Sequence, residues 1–186
     1  MTSSSFGNDN SNRIEVLVNE NVITKYDIIQ RIKMNSILKR VEINENSYNE
    51  LLNAVIDDLI IEKLKQKEAD EYDISFNEDE FKKHEERFYQ NIEYKQEDLK
   101  KLFDLNDLKF DDLLDVIETD LRWQKLIYGL FLRVTSVTEQ EINDLINKNP
   151  NISKDIAAEI ILQKQLDLKS IKLLKDLRDE ATIEYK

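Results

Sequence analysis

The chain has 186 residues, two glycines, one proline, no cysteine and a formal net charge of -12. Such a charge is repelled by phosphate backbones and anionic headgroups, so nucleic acid is not an expected partner, and no apolar run is long enough to span a membrane. With 40% apolar residues and so few turn formers, the composition predicts a mainly α domain that buries about 70% of its unfolded surface, and it excludes turn-dense all-β folds.

The first twelve residues, MTSSSFGNDNSN, read as a disordered polar leader without the apolar core of a signal peptide. Ile14, Val16 and Val18 then alternate with Arg13, Glu15 and Leu17, the period of a half-buried strand. Asn19, Glu20 and Asn21 supply a turn, and Val22 and Ile23 form a second short apolar pair, which together predict a small hairpin.

Thr24 with Asp27 is a capping-box start for a helix to about Arg40. Ser47 with Glu50 opens a core helix in which Leu51, Leu52, Val55, Ile56, Leu59, Ile60 and Leu64 recur at three and four residues. Asn77 with Glu80 begins another helix carrying Phe81, Phe88 and Ile92. A short helix from Gln96 to Leu105 follows, with Leu99, Leu102 and Phe103 on one side, and both of these read as peripheral.

The longest apolar stripe, from Phe110 to about Val134, comprises Leu113, Leu114, Ile117, Leu121, Tyr128 and Phe131. Gly129 near its end costs about 1 kcal/mol relative to alanine, an expense that close packing against a neighbour would explain. Thr138 with Glu141 caps a further helix, and residues 147–153, with Asn149 before Pro150, read as a linker. Beyond it Ile156, Ile160, Ile161, Leu168, Ile171, Leu174 and Leu177 predict one long helix, or two pieces joined across the polar stretch Gln163 to Asp167.

Ala181, Ile183 and Tyr185 alternate with their neighbours and predict a closing strand. A lone strand is unstable in water, and the only other strand signals lie at the opposite end of the chain. The expected partner of Ala181 to Tyr185 is therefore Arg13 to Val18, in a small sheet that joins the two ends.

Few residues suggest chemistry. The single histidine, His84, lies beside Glu85 and Glu86, but adjacent helical residues do not face each other, so it is expected to be a solvated surface side chain. The acidic pairs and runs at Asp57 and Asp58, Glu78 to Glu80, and Asp111 and Asp112 lack the spacing of a calcium loop and read as solvated faces and first-turn acids. Nucleophile elbows, phosphate loops and HExxH motifs are absent, so neither catalytic nor metal-ligating residues are expected, and no cofactor. Met34, Phe88, Tyr89, Phe103, Trp123, Tyr128 and Phe131 are either ordinary core or the lining of an apolar peptide-binding crevice.

The opening VLVNENVITKYDIIQRI resembles that of SurA-type periplasmic chaperones, with Val18, Asn19, Ile23, Thr24 and Asp27 at the matching positions. The resemblance continues through LLNAVIDDLIIEKLKQKEAD, ISFNEDEFKKH and LRVTSVTEQEIND to the closing AAEIILQKQLDLKSIKLLKDLRDEATIEYK, and the order of these segments carries it. It implies a multi-helix chaperone domain over residues 13–186, divided into 13–146 and a closing segment 154–186. Residues 147–153 stand where the family inserts its prolyl-isomerase domains, whose glycine-rich signatures have no counterpart in this chain.

The resemblance further implies a non-enzymatic, ATP-independent holding chaperone in the periplasm, its signal peptide taken as removed, whose clients are unfolded outer-membrane β-barrel proteins. A scaffold subunit with one fixed partner and a degenerate prolyl isomerase are the alternatives.

Overall fold

A computed structural model describes residues 12–186, with residues 45–47 described in their backbone alone. Nearly all of the leader expected over residues 1–12 therefore lies outside the described residues. The described chain is mainly helical, with strands β1 (Ile14–Val18), β2 (Asn21–Thr24) and β3 (Ile183–Tyr185) and helices α1 (Lys25–Lys39), α2 (Glu45–Glu71), α3 (Glu78–Ile92), α4 (Gln96–Leu105), α5 (Phe110–Phe131), α6 (Glu139–Lys148) and α7 (Lys154–Glu180). A single 3-10 turn, Leu132–Val134, extends α5.

The two ends of the chain build one antiparallel sheet in the order β2-β1-β3, as their alternation predicts. Val16, Leu17 and Val18 face Tyr185, Glu184 and Ile183 across the β1–β3 ladder. Asn19 turns the hairpin with φ 53°, a left-handed conformation that asparagine tolerates better than most residues. Its amide donates to the Thr182 carbonyl at 2.8 Å and its side-chain oxygen accepts from the Thr182 amide at 2.9 Å, so one residue joins the turn to the returning chain. Val16 and Val18 point into the core, but a register shift between Ile14 and Val16 leaves Ile14 exposed, so the alternation does not extend to the strand's start.

Three capping boxes form where the sequence places them, at Thr24 with Asp27, Asn77 with Glu80, and Thr138 with Glu141. The second helix begins instead at Glu45, two residues before Ser47, so Ser47 lies within its first turn. With so few glycines, the left-handed positions at the ends of α1 and α3 fall to Arg40 and Glu93, at φ 54° and 55°. The polar stretch Gln163 to Asp167 does not break α7, which runs unbroken for 27 residues. Between α6 and α7 the turn is short: Asn149 donates back to Leu145 and Ile146, and the Ser153 hydroxyl caps Ile156.

The sheet packs on α1 and α2 through Val16, Val18, Ile23, Ile28, Ile32, Val55, Leu59, Ile60 and Leu64, with Ile183 of β3 against the same cluster. A second cluster gathers Met34, Leu99, Phe103, Leu108, Leu113 and Ile117, from the end of α1, from α4, from the turn after it and from the first half of α5. This corrects the peripheral reading of α4 at Leu99 and Phe103, which are fully buried against Met34 of α1 and the first half of α5. The third cluster joins Trp123, Leu126 and Ile127 of α5 to Leu166 of α7.

Gly129 is likewise corrected: a methyl group at its Cβ position would meet nothing within 4 Å, so no close approach requires glycine there. Gly129→Ala should therefore raise the melting temperature by roughly 2–4 °C, the equivalent of up to about 1 kcal/mol in a chain of this size. Deleting Ala181 to Lys186 removes the β3 ladder, the Asn19 contact and the packing of Ile183. Thermal unfolding should then fall by several degrees, a loss of roughly 2–3 kcal/mol.

Candidate functional site

The seven side chains that the sequence nominates for a crevice do not converge on one. Met34 and Phe103 are buried in the second cluster with Phe88 and Tyr89 against it, whereas Trp123 belongs to the third with Phe131 packed on it. Tyr128 alone is exposed. The Trp123 indole N–H donates to the Ser170 hydroxyl at 2.8 Å, which fastens α5 to α7. Burial and the Glu85 carboxylate that accepts from its hydroxyl at 2.7 Å push the Tyr89 phenol far above its ordinary range, so it stays neutral.

Two clefts flank the contact of α1 with α2. Their common wall is the Arg31–Glu62 pair, 2.6 Å apart with both side chains largely buried. One cleft, about 310 Å³, is lined by Met34, Leu59 and Phe103 beneath Asp27, Asp112 and Asp115. Burial, with Asp115, Asp111 and Asp27 nearby, raises the Asp112 carboxyl above its ordinary value against the opposing pull of Lys109.

The other cleft, about 350 Å³, contains His84. That residue is 7% exposed, which corrects the solvated surface side chain expected from sequence. Its partner is not a neighbouring glutamate but Asp120 of α5, 36 residues away and 3.1 Å from Nε2. Burial tends to raise the Asp120 carboxyl, but His84, Lys65 at 3.8 Å and Gln124 at 3.0 Å together hold it below its ordinary value. The nearby Thr119 hydroxyl donates to its own helix at the Asp115 carbonyl and accepts from Gln66, so it is not aimed at His84. This arrangement cross-links α2, α3 and α5. Among the described residues no group of three or more His, Asp or Glu side chains is placed to hold a metal ion.

An uncovered apolar row lies on α7. Ile156, Ile160, Leu168 and Ile171 are 48%, 46%, 58% and 63% exposed. At 3.6 residues per turn they share an arc of about 120°. Leu162, Leu166, Leu173 and Leu177 occupy a different side of the helix and pack in the third cluster, which Leu174, at the edge of the arc, also joins. Near the N-terminal half of α7, the Tyr128 hydroxyl donates to Gln163 at 2.9 Å, and exposed Leu132 and Val134 follow at the end of α5.

The sequence predicts this helix from Ile156, Ile160, Leu168 and Ile171 together with Ile161, Leu174 and Leu177, without separating a buried side from an exposed one. The signal that separates them is angular: the apolar residues of α7 cover more of its circumference than one buried stripe requires. No family model matches this chain, and no curated protein matches it. Among the described residues no helix is long and apolar enough to cross a membrane.

The lowered Asp120 carboxyl makes a pH prediction with a definite sign. Its contribution is present above the ordinary aspartate value of about 3.9 and is lost as pH falls through the lower folded-state value. Asp120→Asn, which keeps an acceptor for His84, should cost about 0.5–1 kcal/mol near neutral pH, since Asp120 is half exposed and solvent screens its charge. In urea unfolding series the difference from the parent protein should shrink toward zero by about pH 2.

Proposed function

We propose that the protein is an ATP-independent holding chaperone, related in kind to the SurA-type chaperones its sequence resembles, and that it acts without catalysis. The carrying observation is the exposed apolar row Ile156, Ile160, Leu168 and Ile171 on a helix anchored along its other side. A fully folded chain with no need of that surface gains nothing by leaving four large aliphatic side chains in water on one side of a helix. An anchored helix can present them to an apolar segment of an unfolded client with little ordering of its own, and loss of client freedom keeps the binding weak and broad.

The closing of β3 onto β1 fits the arrangement that the resemblance implies, in which the final segment completes the domain begun at the N-terminus. On this reading the protein works in the periplasm, and its clients are unfolded outer-membrane β-barrel proteins, long chains that expose apolar segments before insertion. Of the seven residues from Met34 to Phe131 that sequence offers as a crevice, Trp123 and Phe131 then support this surface, with Tyr128 at its edge.

Dilution of a denatured porin into buffer, followed by light scattering, tests the proposal. A several-fold excess of the protein without nucleotide should suppress scattering, and the double variant Leu168→Asp with Ile171→Asp should lose that effect while keeping its melting temperature. A proline-limited refolding reaction should keep its uncatalysed rate. Unchanged scattering with the parent protein would replace the chaperone by a scaffold that binds one fixed partner.

A further inference from the structure

We draw no further inference here: the strongest candidate, the exposed apolar row on α7, belongs to the surface already described, and because its helix carries six basic and six acidic residues, charge selects no occupant and nothing in the structure shows what covers it.

Discussion

Strand β1 is the middle strand of a sheet whose outer strands come from opposite ends of the described chain, and the architecture depends on that closure. Asn19 hydrogen-bonds Thr182 across a separation of 163 residues, so the sheet is complete only when the chain has gone out through six helices and returned along the seventh. Its inner face, Val16, Val18 and Ile23, is the floor on which α1 and α2 lie. Removing β3 from this arrangement would expose one edge of β1, with its backbone groups turned from partners to water. The returning α7 must span about 40 Å at 1.5 Å per residue to reach that edge, which forces it to run the length of the domain.

Polar cross-links hold that path. The Trp123 indole bonds Ser170 midway along α7, and Arg178 reaches Asp57 of α2 at 2.7 Å near its end. On the far side of α2, the Arg31–Glu62 pair ties it to α1, and the His84–Asp120 pair with Lys65 ties it to α3 and α5. Pairs of this kind fix position more than they add stability, because the cost of taking charges out of water offsets much of their attraction. Together they place α2 at the centre, with α1, α5 and α7 around it.

A helix held along one side by such contacts has its other side determined by default. The apolar row of Ile156, Ile160, Leu168 and Ile171 faces outward because α5 and α2 occupy the opposite flank and α6 packs on α7 without covering that row. Rigid support and an uncovered apolar surface are the two physical requirements of a surface that holds an unfolded chain without changing shape.

Much of the local structure was legible in the sequence because its signals are local. Thr24 with Asp27, Asn77 with Glu80 and Thr138 with Glu141 start helices through bonds made within four residues, and the alternation at the C-terminal end predicts a strand whose partner has to come from the N-terminal strands. Other features depend on what lies nearby in space. His84 reads as a surface residue until α5 brings Asp120 to it, and Gly129 reads as a close contact until the space around it proves open. Leu99 and Phe103 gain their depth only from the helix that covers them. The same holds for the candidate site: helical periodicity tells which residues of α7 share a side. Only the packing of α5, α2 and α6 decides which side is buried and which stays exposed.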